Sequence, residues 1–341
     1  MGIEADVVQA ARAGDHQAFT RVVEAHRREL KAHCYRLSGS LHEAEDLVQE
    51  SLLRAWRGIG TFAGRSSLRS WLYRVTTNTC LDALDARRAR TLPQWLGPPT
   101  QDVSAAAPPR GDLAWLSPCP DEIADATPAS PEARLGSRQA VALAFLTVLQ
   151  SLPPRQRAVL LLRDVVGWEA SECAEVLEMT VAAVNSALQR ARATLAEGQR
   201  PAAGGPGLDE PPSEATRAAL ARYLRAWEEA DASALVEVLR DDARLAMPPY
   251  EMWFEGAAAI IASLRGMVLP PEAAGVFRLV PTRASAAPAF AAFALDAGSG
   301  EYRASALHVL TFDEGGRISA IDAFLDPSLF PLFGLPAVLA R

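Results

Sequence analysis

Two groups of polar side chains in the first hundred residues have types and spacing that could do chemistry. Glu43, Glu45, Asp46, Gln49 and Glu50 interleave with an apolar repeat of Leu41, Ala44, Leu47, Val48 and Leu52, the three-and-four spacing of an amphipathic helix. An isolated helix of this kind has a solvated acidic face; with a partner of complementary charge it becomes a docking edge. Further along, Phe62, Arg65, Ser66, Ser67, Trp71, Arg74 and Asn78 combine rings, hydroxyls, an amide and cations. An aromatic and basic stretch of this kind suits a DNA-reading element, since cations and rings can meet phosphate and bases. Trp71 has a second reading as plain core.

A third group lies on a predicted helix-turn-helix with helices over 155–166, 170–177 and 180–195. Thr180 is the expected N-cap of the last helix. Helical spacing buries Val181, Val184, Ala187 and Leu188 and exposes Ala182, Ala183, Asn185, Ser186, Gln189 and Arg190. Asn and Gln read adenine edges, and Arg reads guanine or phosphate, when the start of such a helix enters the major groove. The helix carries few cations, so this element alone predicts weak DNA affinity. A helical protein-interaction module is the other reading of the same pattern.

The last third of the chain offers Trp227, Tyr250, Trp253, His308 and Asp322 as lining for a pocket, with Met247 and Phe293 beside them. His308 and Asp322 fall on neighbouring predicted strands and are expected to face each other. Such a pair can do acid–base work, or it is simply a satisfied structural pair; structure or ligand sensing is the favoured reading, and no catalytic residue is assigned.

The elements that position these groups follow from composition and punctuation. The 341 residues suffice for two or three domains, and 49% hydrophobic content supports ordinary cores. No apolar run approaches the ~18 residues of a membrane span, and the first residues lack a secretory pattern. Cys34, Cys80, Cys119 and Cys173 have neither metal-ligand spacing nor a disulfide framework, so no metal or cofactor is expected and a reducing cytoplasm is the simple reading. The net charge of −7 is uneven: residues 206–341 hold 11 arginines against 18 acidic residues, and the first 205 residues are balanced. Within them, residues 65–90 carry six arginines against Asp82 and Asp85, a local basic face of the kind phosphate contact needs.

Helices are predicted through residues 1–90. Nine prolines mark 91–137 as a linker, although Trp95, Trp115, Leu116 and Ile123 give it apolar anchors. Residues 138–198 are helical, 199–212 form a second linker, and 213–341 combine helices (214–229, 232–239, 256–264) with strands (275–281, 289–295, 302–312, 318–324). The turn Asp313-Glu314-Gly315-Gly316-Arg317 reads as a hairpin, and a curved antiparallel sheet is expected.

These residues carry a resemblance. Phe19, the stretch Ala44-Glu45-Asp46-Leu47-Val48-Gln49-Glu50, Ala55-Trp56, Phe62, Leu68-Arg69-Ser70-Trp71-Leu72-Tyr73-Arg74 and Asn78 resemble region 2 of extracytoplasmic-function (ECF) sigma factors. Ser151-Leu152-Pro153-Pro154-Arg155-Gln156-Arg157 with Ala191-Arg192 resembles their region 4. Tyr223-Leu224-Arg225-Ala226-Trp227, the Asp242–Pro249 stretch, Trp253-Phe254-Glu255-Gly256 and the hairpin resemble a SnoaL-like domain. The resemblance implies two all-α sigma domains followed by an α+β cone, in a non-enzymatic sigma factor. It places Asp46, Leu47, Gln49 and Glu50 at the β′ clamp of core RNA polymerase, the 62–78 set at the −10 element and the 182–190 set at the −35 element, with the β flap as a further partner. It also implies regulation in cis by the C-terminal domain without a separate anti-sigma factor. Trp115, Leu116, Asp313, Gly315, Gly316 and Arg317 are the candidate regulatory contacts. A DNA-binding fusion with a working cyclase or isomerase is the alternative.

Overall fold

The computed structural model describes residues 2–64, 66–85, 89–101, 109, 113–124, 141–198 and 212–340. Contacts divide the chain into two bodies, Met1–Arg90 with Glu122–Gln199, and Thr91–Asp121 with Arg200–Arg341.

The first body is helical: α1 (Gly2–Arg12), α2 (His16–Ser38), α3 (Leu41–Gly58), α4 (Leu68–Leu84), α5 (Leu143–Ser151), α6 (Pro154–Leu160), α7 (Ala170–Leu177) and α8 (Val181–Gly198). Polar caps start the helices where the sequence supplies them. The Asp15 carboxylate accepts from the amides of Gln17 and Ala18, Ser40 accepts from Glu43, and Ser67 accepts from Ser70. Thr180 Oγ1 accepts from the Ala183 amide at 3.1 Å, the expected cap. Helix α6 continues as a π turn over Leu161–Val165.

Helices α2 and α6 are joined at the end of α2. The last carbonyls of a helix have no partner within it, and Arg157 of α6 reaches them. Its guanidinium donates to Leu37 O, to Gln150 Oε1 at 2.6 Å, to Gln150 O at 2.8 Å and to Leu152 O at 3.1 Å. Gln150 Nε2 donates to Arg36 O and Leu37 O. Burial pushes the Arg157 guanidinium down to about 10, still a cation at neutral pH and favourably placed at a helix C-terminus. The Tyr73 and Trp168 rings meet edge to face, centroids 5.3 Å apart.

The second body is α+β: α9 (Glu214–Glu228), a 3-10 turn (Ala232–Glu237), β1 (Leu239–Ala246), β2 (Trp253–Glu255), α10 (Ala257–Met267), β3 (Phe277–Ala284), β4 (Ala287–Leu295), β5 (Tyr302–Phe312), β6 (Ile318–Phe324), a second 3-10 segment (Pro327–Phe333) and β7 (Val338–Leu339). The sheet order is β2-β1-β6-β5-β4-β3, with β7 on β5. Two expectations are corrected. Residues 232–239 do not form a helix up to β1, because the 3-10 turn ends at Glu237 and Leu239 already begins a strand. The sheet is also mixed, since β1 pairs parallel with β6. Arg240, Asp241 and Asp242 hide β1 from its alternation signal, and its register slips between Leu239 and Arg244.

Helices α9 and α10 cover one face of this sheet, over a core of Tyr223, Trp227, Ile260, Leu264, Phe290, Leu310 and Ile321. Described residues of the Pro-rich segment bond to the rest of this body. Thr100 N donates to Trp253 O at 2.7 Å, Trp253 Nε1 donates to Gly97 O at 2.9 Å, and Ser285 N donates to Cys119 O at 2.7 Å. Asp121 pairs with Arg283 at 2.5 Å. Thr91 and Trp115 are bridged in parallel, which draws the two ends of this strap together. Leu92, Pro93, Leu116, Pro118 and Cys119 are buried.

The hairpin turn packs on α9. Gly316 has φ +80°, and a Cβ there would lie 2.8 Å from Ala215 Cβ and 2.9 Å from the Thr216 amide. Replacing it with alanine therefore adds strain and a backbone clash, and should destabilise this body by roughly 1–3 kcal/mol. Gly315→Ala is the matched control, since its added methyl meets only Asp313 Oδ1 at 3.4 Å. Urea unfolding that gives both variants the same midpoint would contradict this account.

Candidate functional site

On α3, Asp46 and Gln49 are exposed and Glu50 is half-buried beside Arg54, 2.9 Å away. Leu47 is placed differently from its expected surface role: it is 6% exposed and packs inward, as its position in the apolar repeat requires. Glu43 is also internal, in an ion pair with Arg90 at 2.9 Å, and Glu45 is held by Lys31 and Arg27. The acidic edge open to a partner is thus Asp46, Gln49 and Glu50.

The aromatic members of the second group pack on each other. Phe62 and Trp71 are 5.4 Å apart, and Trp71, at 9% exposure, lies over Gly58. Both rings are largely buried, and Trp71 also borders the cleft described below. Ser66, Ser67 and Arg74 are exposed and Asn78 is half-buried. Arg69 is bound to Glu29, whose carboxyl stays below its usual value: burial opposes this, and the His26 and Arg69 bonds outweigh it. Arg65, Arg87 and Arg88 lie outside the described residues. Arg74 is therefore the exposed cation of the set among the described residues.

These groups form one wall of a cleft of about 310 Å³. Ser66, Ser67, Ser70, Trp71 and Arg74 line one side, and Trp168, Glu172, Glu175 and Val176 line the other. Sequence reasoning singled out neither glutamate, since nothing local to 169–178 marks what it faces.

On α8, Ala182, Asn185, Ser186, Gln189 and Arg190 are exposed and Ala183 is half-exposed, while Val184, Ala187 and Leu188 are buried. Val181 departs from expectation at 46% exposure, because as the first residue of the helix it has no preceding turn to pack against.

The pocket residues of the second body divide between two faces. Trp227 and His308 share the helix-covered face: Tyr223 Oη and His308 Nδ1 are hydrogen-bonded at 3.1 Å, and the Trp227 ring lies 4.6 Å from the imidazole. Asp322 pairs with Val309 and Ala246, and Ala246 pairs with Trp253, which puts Trp253 and Asp322 on the other face. The expectation that His308 and Asp322 face each other is thus corrected, and the cause is local. Continued from Phe312↔Ile318, the register would set His308 opposite Asp322; an irregularity between Thr311 and Phe312 shifts it by one, so His308 pairs with Ala323. A one-residue slip turns every later side chain to the opposite face. Tyr250 is half-buried in the turn after β1.

Burial pushes His308 down to about 4 and Asp322 up to about 6, the latter against the pull of Arg244 and a hydrogen bond from Gln94 of the strap. Among the described residues no cluster of His, Cys, Asp and Glu could hold a metal ion, and no helix is long and apolar enough to cross a membrane.

Comparison with known proteins bears on these surfaces. Residues 22–90 match the Sigma-70 region 2 family, residues 142–195 match Sigma-70 region 4, and residues 220–321 match the SnoaL-like domain. The chain is 48% identical over 325 residues to ECF RNA polymerase sigma factor SigG of Mycobacterium tuberculosis, covering 95% of this chain and 85% of that protein. It is 31% identical over 193 residues to ECF RNA polymerase sigma factor SigM of the same organism, covering 57% of this chain and 83% of SigM. The fold is similar to the crystal structure of the extracytoplasmic-function sigma factor SigJ of M. tuberculosis, with a TM-score of 0.57 at 20% identity over 93% of this chain and 99% of that one.

The Asp322 carboxyl gives a pH prediction. Its folded pKa lies above the unfolded value, so its contribution favours the fold at pH below about 4 and is lost as pH rises through about 6. Asp322→Asn should therefore stabilise the second body at pH 7–8 by on the order of 3 kcal/mol, with the gain fading below about pH 4. His308 acts in the opposite sense: it stays neutral when folded, so stability falls as pH drops from about 6.5 towards 4. A gain from Asp322→Asn that did not vary with pH would refute this assignment.

Proposed function

Because the chain belongs to the ECF sigma factors of RNA polymerase, we propose that its SnoaL-like domain regulates it in cis, through the strap between its two sigma regions. Sigma factors bind core RNA polymerase and promoter DNA. In this reading Asp46, Gln49 and Glu50 engage the β′ clamp; Ser66, Ser67, Arg74 and Asn78 handle the −10 element; Ala182, Ala183, Asn185, Ser186, Gln189 and Arg190 face the −35 element. Region 4 would also meet the β flap. The chain would act in the cytoplasm, without a separate anti-sigma factor.

One observation carries the regulatory part: described residues of the segment between regions 2 and 4 are hydrogen-bonded into the body that contains the SnoaL-like domain. A segment so held is tied at both ends to sigma regions, so its docking constrains how far they can part. Gln94 on Asp322 and Leu116, 1% exposed, are its anchors, and Trp115 precedes Leu116. In the 313–317 turn, Asp313 Oδ1 accepts from the Arg317 amide at 2.9 Å and Gly316 abuts α9. The turn would thus act by holding α9.

A second reading keeps the C-terminal domain as a working cyclase or isomerase, on the strength of the Tyr223–His308 hydrogen bond inside the helix-covered core. The opposed faces of His308 and Asp322 weigh against it, since an acid–base pair must reach one substrate. His308→Ala combined with Asp322→Asn separates the two: an enzyme loses turnover, and a sigma factor regulated by docking still transcribes.

The main test is transcription in vitro with purified core polymerase from the promoter preceding this protein's own gene, comparing the full chain with one ending at Gly198. The shortened chain should initiate at a changed rate, because the strap has lost its platform. Trp115→Ala should alter transcription more than polymerase binding. Equal losses in both assays, or unchanged initiation by the shortened chain, would refute regulation through the strap.

A further inference from the structure

Val181 is the one member of its predicted buried set that the structure turns outward. It is the first residue of α8 and is 46% exposed, whereas Val184, Ala187 and Leu188 are buried. Ala182 is exposed beside it and Ala183 is half-exposed, so the helix opens on an apolar tip. Acidic residues in a first turn favour a helix but repel phosphate, and this first turn has none. No cation precedes Arg190 in the helix, and Arg192 is committed to Asp164 at 2.7 Å. On most surfaces an exposed valine needs no explanation. This one lies at the leading end of a helix whose N-terminal part reads base edges. Cα–Cβ bonds tilt toward the start of a helix, so the Val181 methyl groups go first. Thr180 Oγ1 holds that end in shape through the Ala183 amide.

We propose that Val181, with Ala182, reads the C5-methyl group of a thymine in the −35 element, so that this chain tells thymine from cytosine by apolar contact. The proposal rests on the −35 reading of α8 given above. Thymine presents the one apolar group in the major groove, whereas cytosine presents an amine donor. Valine offers that amine no acceptor, and it gains by covering the methyl group. Asn185 stands one turn further along the same face, with an amide that suits adenine N6 and N7. One turn rises about 5.4 Å, and successive bases lie about 3.4 Å apart. The thymine is therefore placed within one or two base pairs of that adenine. A methyl contact carries no charge and does not weaken with salt, unlike a phosphate contact made by Arg190.

The test uses holoenzyme assembled from the full chain and core polymerase. Duplexes randomised over the −35 element are selected for binding. Each thymine of the preferred site is then replaced singly by deoxyuridine, which lacks only the methyl group. At one thymine the replacement should weaken the parent about fourfold, the worth of one methyl group removed from water. In Val181→Ala the same replacement should cost less than about twofold. The parent's loss should persist as salt rises, while the loss caused by Arg190→Ala shrinks. Cytosine at that position should bind poorly, and 5-methylcytosine should recover part of the difference. Val181 is exposed, so shortening it leaves the core under α8 intact. A preferred site without thymine, or equal deoxyuridine losses in the parent and in Val181→Ala, would overturn the proposal. Asn185→Ala checks the −35 reading separately. If the parent selects no −35 sequence and Asn185→Ala changes nothing, that reading has failed and the proposal falls with it. If Asn185→Ala alters the selected sequence while deoxyuridine is tolerated at every position, methyl readout alone is wrong.

Discussion

The second body depends on a sheet that is buried on both faces. Along β4, β5 and β6, consecutive residues are buried rather than every other one, so the sheet cannot leave one side in water. Helices α9 and α10 take one side. The other presents Ala289, Ala291, Leu307, Val309 and Phe324, all buried, together with Trp253 and Asp322. Exposed, such a surface is a liability for association. Trp253 and Asp322 are met by Gly97 and Gln94 of the segment that joins the two sigma regions. Leu92 and Leu116 alone contribute on the order of 3–6 kcal/mol by their burial. The strap is therefore part of a domain core, and anything that lifts it must replace that cover.

How much of this was readable beforehand varies with the range of the interaction. Helices and caps set by neighbours in sequence were legible: Thr180 caps α8, α7 has its predicted bounds, and the exposed face of α8 matches helical spacing. The strands β4, β5 and β6 were legible from their apolar runs. The second body's other features depended on single-residue events that leave no pattern. One is the register slip beside Phe312, which separates His308 from Asp322. Another is the charged run at 240–242, which conceals β1. Arg157 shows the same limit in the first body, since its partner carbonyl on Leu37 is 120 positions away and no local signal marks it. The sigma resemblance offered Leu47, Phe62 and Trp71 as contact residues, and the structure buries all three. Those three support the surface that their exposed neighbours present.

Charge distribution gives the two bodies different jobs. The acidic excess lies in residues 206–341, and the sigma regions are balanced overall. Within them opposite charges are sorted onto facing surfaces: Glu43 with Arg90 and Glu29 with Arg69 inside region 2, then Glu172 and Glu175 across from Arg74. Inside region 2 the partners touch and fix the helices. Across the cleft no ion pair closes among the described residues, and Arg74 stays exposed.

The two internal contacts answer to different conditions. The cleft is polar and solvated, so ionic strength and a competing polyanion act on it. The strap is held by buried apolar residues, hydrogen bonds and the Asp121–Arg283 pair, with the buried Asp322 carboxyl beneath it, so its release depends on displacing packed side chains or on the ionisation of Asp322. A ligand shifts such an equilibrium only by its differential affinity for the two states. Core polymerase, or a small molecule that alters the sheet under Gln94, is the kind of partner that can act at the strap. The cleft and the strap thus answer to separable influences.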